Sequence, residues 1–350
     1  MKQKVCIAMS GGVDSSTSAA LLNEAGFDVF GVFMKLWDSS KNVRGCCSLD
    51  DANDALRVAE KLKIPFYVLN MKEEFKKFVV DYFVEEYKKG RTPNPCVMCN
   101  RFLKFDFLLK KAKTFGADYI STGHYARIEV EEGKKFIYKA FDGRKDQSYF
   151  LFNIPHNLID SIVFPLGRLK KDEVRNKAEA FGLITSKKRE SQEICFIDKD
   201  YREFLLEMGV KEKKGYIVDA KGKILGIHRG YFNFTIGQRS GLNISVGKPV
   251  YVLRIIPEEN LVIVGDEEKL YKTTFIAENC NFFDEPKINE LYFTKIRYSH
   301  KGDFAKLSPI SSNEFLVEFE KPQRAITPGQ AVVFYEGEKL VGGGWIKEIL

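Results

Sequence analysis

The chain has 350 residues, of which 44% are hydrophobic, and a net charge of +7. That length exceeds one typical domain and supports real cores, so two or three domains are expected. No apolar run approaches the ~20 residues that span a bilayer, which excludes a membrane-spanning helix, and the modest positive charge allows a polyanionic partner without requiring one.

Too few apolar residues follow Met1-Lys2-Gln3-Lys4 for a signal peptide, so the chain is expected in the cytoplasm, with no membrane partner. There the seven cysteines, odd in number and unevenly placed, point to thiol chemistry or metal binding rather than to a disulfide framework.

In chain order the pattern first alternates. A strand is predicted at Val5 to Met9, a helix from Asp14, a strand at Val29 to Leu36, a helix from Ser48 to Leu62 and a strand at Phe66 to Leu69. Helical stretches at Lys72 to Lys89 and Arg101 to Phe115 lead to a strand at Asp118 to Thr122. This is an α/β arrangement with a mostly parallel sheet covered on both faces, and ligand belongs at the carboxyl ends of its strands. Beyond Gly215 come short strands with Gly, Asn and Pro turns, through Tyr216 to Leu225, Pro249 to Ile256 and Leu261 to Val264. From about Phe275, alternating strands at Leu291 to Tyr298, Glu314 to Phe319 and Ala331 to Tyr335 suggest a small β-barrel. The expected domains are 1–205 for the parallel-sheet unit, 206–273 for a small connecting unit and 274–350 for the barrel.

The first strand runs into Ala8-Met9-Ser10-Gly11-Gly12-Val13-Asp14-Ser15 at the head of a helix. Glycines there let the backbone approach an anion, while helix amides and the positive dipole end supply donors, so the turn reads as a nucleotide-pyrophosphate site. It is not a Walker A loop, because Asp14 and serines stand where that motif has its lysine. An acid there suggests magnesium or ordered hydroxyls. The residues match the S-G-G-x-D-S loop of the ATP pyrophosphatase superfamily.

A second site is Asn94-Pro95-Cys96-Val97-Met98-Cys99-Asn100, following Gly90-Arg91-Thr92-Pro93. Two prolines are expected to fix an extended loop, with Cys99 just before a helix starting near Arg101. A helix N-terminus and the nearby Arg91, Arg101 and Lys104 would favour the thiolate, making Cys99 a candidate nucleophile. The Cys-x-x-Cys spacing equally suits a redox pair, half a zinc site or part of an iron-sulfur cluster. A third site is Cys195, between Ile194 and Phe196, which alone reads as a buried core thiol.

Taken together, the order of these pieces resembles one family, the tRNA-specific 2-thiouridylases, across essentially the whole chain. The resemblance includes Ser10 to Ser15, Arg91 to Pro95, Cys99-Asn100, Thr122 to Arg127, Lys145 to Tyr149, Glu193 to Ile197, Thr235 to Arg239 and Pro328-Gly329-Gln330. It implies a Rossmann-like, adenine nucleotide alpha hydrolase-like first domain. It also implies an activity: a sulfurtransferase that adenylates O2 of the wobble uridine of tRNA and replaces it with persulfide sulfur, releasing AMP and pyrophosphate. ATP, with magnesium, would bind at Ala8 to Ser15, Met34 and Gly123. The tRNA would meet Asn94, Pro95 and Cys96, together with His124, Lys145, Asp146, Gln147, Arg297, Tyr298 and Gln330. Cys99 would be the catalytic nucleophile and Cys195 the persulfide carrier, with a disulfide between them during turnover. Implied partners are tRNAs with Lys, Glu and Gln type anticodons and a cysteine desulfurase or sulfur-relay protein.

The chain departs from one common form of the family at Cys96, where many members carry aspartate. An alternative use of the resulting set Cys96, Cys99 and Cys195 is to hold an iron-sulfur cluster with one open iron offering hydrosulfide. Four scattered histidines argue against a histidine metal site. His124 alone reads as a loop residue, Lys145 to Gln147 as a charged turn, and Arg297-Tyr298 as barrel surface, although Arg with Tyr suits RNA stacking. The basic runs Lys187 to Arg189 and Lys211 to Lys214 read as solvated faces. Cys46, Cys47 and Cys280 carry no derivable role. The rival readings are another pyrophosphate-loop enzyme, which would lack the paired cysteines and the barrel, and a non-catalytic RNA-binding module.

Overall fold

The structure is a computed structural model that describes residues 2–37, 48–188, 194–197, 200–288 and 290–350. Cys46, Cys47, the basic residue Arg189 and Glu193 lie outside the described residues. The chain divides into two compact units. Unit 1 comprises Met1–Val80, Pro95–Asp198 and Glu338–Leu340; unit 2 comprises Asp81–Asn94, Lys199–Gly337 and Val341–Leu350. The division is not sequential, since Asp81–Asn94 groups with unit 2 although it lies within the 1–205 span.

Unit 1 begins with strand β1 (Lys4–Ala8), helix α1 (Val13–Glu24), β2 (Asp28–Lys35), α2 (Leu49–Leu62) and β3 (Phe66–Asn70). Helix α3 (Lys72–Phe75) continues through a π-helical segment, Lys76–Val80, into α4 (Asp81–Lys88). After the loop, α5 (Pro95–Met98) runs through a second π-helical segment, Cys99–Phe107, into α6 (Leu108–Thr114). Then come β4 (Tyr119–Ser121), a hairpin of β5 (Ala126–Glu131) and β6 (Lys134–Lys139), the short β7 (Ile162–Val163) and α7 (Lys171–Ala180).

The parallel sheet has the order β3-β2-β1-β4-β7. β1 lies at its centre, with Lys4 to Ala8 in register with Asp28 to Val32 and Val5 to Ile7 with Tyr119 to Ser121. Burial on both faces explains why β1 reads as an unbroken apolar run rather than an alternating one. Val5, Ile7 and Met9 pack with Ala19, Ala20 and Leu22 of α1, Val29 and Phe33 of β2, and Ala55 and Val58 of α2.

Three elements of this unit were not anticipated: the β5–β6 hairpin, the two-residue β7 and helix α7. The helix expected from Arg101 in fact starts at Pro95. Proline has the preset backbone angle and the missing N–H that a first helical position wants, so Pro95 opens the helix instead of extending the loop.

Unit 2 adds α8 (Tyr201–Glu207) and a small sheet of β8 (Gly215–Val218), β9 (Ile224–His228), β10 (Tyr251–Ile256) and β11 (Leu261–Gly265), in the order β10-β11-β8-β9. Ile217, Val252, Val262 and Val264 form its core with Phe234 and Leu242. The C-terminal strands are β12 (Tyr271–Phe282), β13 (Leu291–Lys295), β14 (Asp303–Pro309), β15 (Phe315–Arg324), β16 (Ala331–Glu336) and β17 (Lys339–Ile349). They run in the order β12-β15-β14-β13-β16-β17, and β12 pairs back onto β17 from Phe275↔Ile349 to Phe282↔Gly342. Closure joins these six antiparallel strands into a barrel in which each is paired on both sides. Its inward positions include Phe275, Tyr292, Leu307, Val317, Phe334 and Ile346. Among the described residues no helix is long and apolar enough to cross a membrane.

Candidate active site

The glycine turn sits where the fold predicts, at the carboxyl end of the central strand. The Met9 amide donates to Val32 O at 2.8 Å, prolonging the sheet to the edge of the turn, and Met34 lies further along β2 at the same end. The chain then leaves the sheet at Ser10. Gly11 has φ +72°, and a Cβ there would fall 2.2 Å from the Asp51 carbonyl oxygen, so both the turn and the approach of α2 require glycine. Gly12 caps α1 without any side-chain hydrogen bond. The loop hydroxyls instead fold the turn upon itself: Ser15 Oγ accepts from Ser10 N at 3.1 Å, and Ser16 Oγ donates to Gly12 O at 2.8 Å. Gly123, which follows β4, comes so close that a Cβ would meet Ser15 N at 2.7 Å. Ala8 to Ser15 and Gly123 are thus brought together around the positive end of α1.

Asp14, in the first turn of α1, is held by three contacts. Tyr125 Oη donates to its Oδ1 at 2.7 Å, and Lys171 Nζ lies 2.7 and 2.9 Å from its two oxygens. Tyr125 is itself clamped by Gln147, whose Oε1 accepts from Tyr125 N and whose N donates to Tyr125 O, both at 2.9 Å. Asp142 accepts from Lys171 N at 3.2 Å and from Arg144. Desolvation pushes the Asp142 carboxyl up, but these hydrogen bonds outweigh it and hold the group below the usual carboxylate range. On the other side of the turn Lys188 Nζ bridges Asp51 (2.7 Å) and Asp54 (2.6 Å). Desolvation lowers the Lys188 ammonium, and the two aspartates more than reverse it.

Lys171, Tyr125, Asp142 and the Lys188 bridge were not singled out in the sequence. Lys170-Lys171-Asp172-Glu173 reads as an ordinary charged helix start, so nothing local marks the one lysine that turns inward.

The thiols lie differently from expectation. Because the helix starts at Pro95, Cys96 occupies its first turn and is exposed, whereas Cys99 is one turn in and buried. The Arg91 guanidinium pairs with Glu86 at 2.8 Å and Glu278 at 2.6 Å. Next to Cys99, Asn100 donates from Nδ2 to Phe150 O at 3.1 Å, tying the helix to the segment after Gln147. Cys195 is half-buried, and its neighbour Phe196 packs edge-on against Phe75.

Family comparisons agree along the whole length. Residues 3–199 match the family described as tRNA methyl transferase HUP domain, 202–266 the tRNA methyl transferase PRC-barrel domain, and 272–346 the aminomethyltransferase beta-barrel domain. The tRNA-specific 2-thiouridylase MnmA of Carboxydothermus hydrogenoformans is 49% identical, covering 100% of this chain and 99% of its own. Its namesake in Caldicellulosiruptor saccharolyticus is also 49% identical over 100% of both chains, and that of Acetivibrio thermocellus is 48% identical over 99% of both. The chain belongs to the tRNA-specific 2-thiouridylase family.

The family's implied tRNA contacts fall into two groups here. In unit 1, Asp146 is a turn residue that accepts from Ala140 N at 2.9 Å and from Ser148 Oγ at 2.8 Å. Lys145 is half-buried, its amide donating to Asp142 O at 2.9 Å. His124 is 8% exposed, with Nδ1 2.6 Å from Thr122 Oγ1 and its ring packed against both Phe105 and Phe164. Burial, then the nearby Lys104 charge, holds its imidazole well below the usual value. The His124 ring is enclosed and presents little surface to an RNA.

In unit 2, Gln330 donates from Nε2 to Thr92 O at 2.9 Å and to Pro93 O at 3.2 Å, so it braces the strand of chain that ends at Asn94. Arg297 donates to Arg324 O and Ala325 O. Tyr298 is exposed, with Lys295 5.6 Å from its ring centroid. Cys280 is half-buried; burial, then Glu278 and Glu314, pushes its thiol up to about 12, which disfavours the thiolate.

The residues present do not fit a three-cysteine cluster. Among the described residues no group of three or more His, Cys, Asp or Glu is arranged to hold a metal ion, and Cys96 and Cys99 differ sharply in exposure. Magnesium accompanying a nucleotide takes one or two carboxylates besides phosphate oxygens. Asp14 is the carboxylate of this turn, and both its oxygens are engaged by Lys171.

Proposed function

We propose that this chain is an ATP-dependent tRNA sulfurtransferase that converts the wobble uridine to 2-thiouridine. The observation that carries the reading is membership of the 2-thiouridylase family over the full length of the chain, with near-complete coverage of the relatives as well. The glycine turn at the carboxyl end of a parallel sheet supports the ATP half of the reaction.

O2 of uracil is a poor leaving group. In this reading it attacks the α-phosphate of ATP, pyrophosphate departs along the Ser10 to Ser15 turn, and an adenylate results. The terminal sulfur of a Cys195 persulfide then attacks C2 and AMP leaves with O2. Cys99 thiolate next attacks Cys195 Sγ, breaking the S–S bond so that the sulfur stays on the base as 2-thiouridine and a Cys99–Cys195 disulfide forms. In a second route Cys99 attacks first and releases hydrosulfide, which attacks C2. Both routes end in the same disulfide, which a cellular thiol reductant must reset, and both begin with sulfur from a cysteine desulfurase or relay protein. Reaching C2 requires the wobble base to leave the anticodon stack. Substrate tRNAs of the Lys, Glu and Gln type and a cytoplasmic setting complete the reading.

The test is mass spectrometry of substrate tRNA after incubation with the chain, ATP, magnesium, a cysteine desulfurase and cysteine. The expected result is sulfur gained at the wobble uridine by wild type and lost in both Cys99→Ser and Cys195→Ser. AMP formation with no sulfur gained would overturn it in favour of another pyrophosphate-loop activity.

A further inference from the structure

The sulfur chemistry leaves the Cys96 thiol without a task. Cys96 stands in the first turn of the helix opened by Pro95 and is exposed, whereas Cys99 is buried and begins the π-helical segment Cys99–Phe107. Side chains at positions i and i+3 share one helix face, with Cβ atoms about 5–6 Å apart. The inner end of this pair is tied down by Asn100, whose Nδ2 donates to Phe150 O at 3.1 Å. The other thiols among the described residues are less accessible, Cys6 being buried and Cys195 and Cys280 half-buried.

A Cys99–Cys195 disulfide at the end of each turnover therefore joins a buried sulfur to a half-buried one. Exchange requires a thiolate to reach a disulfide sulfur, and a protein dithiol carries its thiolate on its own surface, so sulfurs enclosed in a fold are poor targets for it. A thiol one turn further out on the same helix face removes that obstacle. A disulfide needs Cβ atoms about 3.5–4.5 Å apart, so Cys96 and Cys99 must draw together by about 1–2 Å. The first turn of a helix, whose leading amides have no intrahelical acceptor, can give that much. The Cys-x-x-Cys spacing is also that of dithiol redox pairs.

We propose that Cys96 is the resolving thiol of this chain, passing the disulfide from the enclosed sulfurs to the surface. Cys96 thiolate attacks Cys99 Sγ, the Cys99–Cys195 bond breaks, and a Cys96–Cys99 disulfide forms. Cys195 leaves as a thiolate, takes up the proton that Cys96 gave, and is ready for the next persulfide. A protein dithiol then attacks Cys96 Sγ, Cys99 leaves as a thiolate, and the second thiol of the reductant displaces Cys96 from the mixed disulfide. The external dithiol supplies two electrons and two protons and ends as a disulfide, and the chain recovers its three thiols. This step rests on the sulfur route proposed above, whose product is the Cys99–Cys195 disulfide.

The test compares the full-length chain with Cys96→Ser. Each is oxidised, in one arm by a single turnover with persulfide, ATP and tRNA and in another by diamide, and is then treated with reduced thioredoxin as the protein dithiol or with a small phosphine. Thiols are trapped over time with N-ethylmaleimide, and linked peptides are read by mass spectrometry. Wild type should show a Cys96–Cys99 linkage, and Cys96→Ser should retain Cys99–Cys195. Thioredoxin should free Cys195 at least about tenfold faster in wild type, while the phosphine, small enough to enter, should free it in both within about threefold. Wild type that shows Cys99–Cys195 and no Cys96–Cys99 peptide, or equal rates with thioredoxin, would overturn the inference and leave the sulfur route intact. Exchange to Cys96–Cys99 after diamide in a chain that makes no 2-thiouridine would leave the relay standing and sink the sulfurtransferase reading. No Cys99–Cys195 linkage in Cys96→Ser in either arm would sink both.

Discussion

Gln147 closes both backbone hydrogen bonds of Tyr125, accepting from its N and donating to its O at 2.9 Å each. Tyr125 is buried, so its amide has no recourse to water when that partner is lost. This clamp aims the Tyr125 hydroxyl at Asp14, linking a residue implied in tRNA contact to the glycine turn.

Gln147→Ala should therefore lower stability by about 1–2 kcal/mol, the cost of an orphaned buried donor. Gln147→Glu, which keeps an acceptor oxygen, should cost much less. Urea unfolding of the three proteins checks this, and equal midpoints would assign Gln147 to the RNA alone.

Neighbouring glycines of the turn should behave differently. Gly11→Ala places a Cβ 2.2 Å from Asp51 O and forces a left-handed backbone, whereas the nearest atom to a Cβ on Gly12 is Ser10 Oγ at an ordinary 3.5 Å. We expect Gly11→Ala to lose more than the ~1–2 kcal/mol of left-handed strain, and Gly12→Ala to lose only the roughly 1 kcal/mol or less that alanine costs at a helix N-cap. Scanning calorimetry distinguishes them.

Stability should fall on acidification partly through His124. In the unfolded chain its imidazole titrates near 6.5, while burial and Lys104 keep the native ring neutral to well below that. Between the two values the unfolded state binds more protons, so stability rises with pH there and is flat above about 6.5. The slope from this ring cannot exceed about 1.4 kcal/mol per pH unit. His124→Asn should reduce the stability difference between pH 5 and pH 7. An unchanged difference would place the acid sensitivity elsewhere, for instance at His228 or His300, both also lowered first by burial.

Arg91 joins Glu86 and Glu278 and also donates to Ile346 O at 3.2 Å. Removing it takes this cation from Glu278 and leaves Glu86 with Lys89 at 3.1 Å. Arg91→Ala should cost about 3 kcal/mol, and the double variant Arg91→Ala with Glu278→Gln should recover part of it. A double-mutant cycle measured by denaturant unfolding reads the coupling.

The exposure of Cys96 and the burial of Cys99 predict their order of alkylation. With native protein and iodoacetamide, peptide mass spectrometry should find Cys96 modified well before Cys99. The reverse order would mean that the helix opens at Pro95 in solution.

What the sequence determined by itself was local. The apolar run of β1, the paired glycines and the hydroxyl-rich start of α1 are consecutive, so their pattern alone named the turn and its anion preference. Alternation of strands and helices likewise implied the parallel sheet, and the later alternating strands the barrel. The start of the Cys-x-x-Cys helix is local too but ambiguous, because proline marks both extended chain and first helical positions, and in the fold Pro95 and Val97 are buried in the helix's first turn. Tertiary structure decided the rest. Lys171 meets Asp14 across 157 positions, Gln330 meets Thr92 across 238, and Arg91 meets Glu278 across 187. No periodicity encodes such pairs. They exist because a buried charge or donor must find a partner, and only the folded chain determines which one lies within 3 Å.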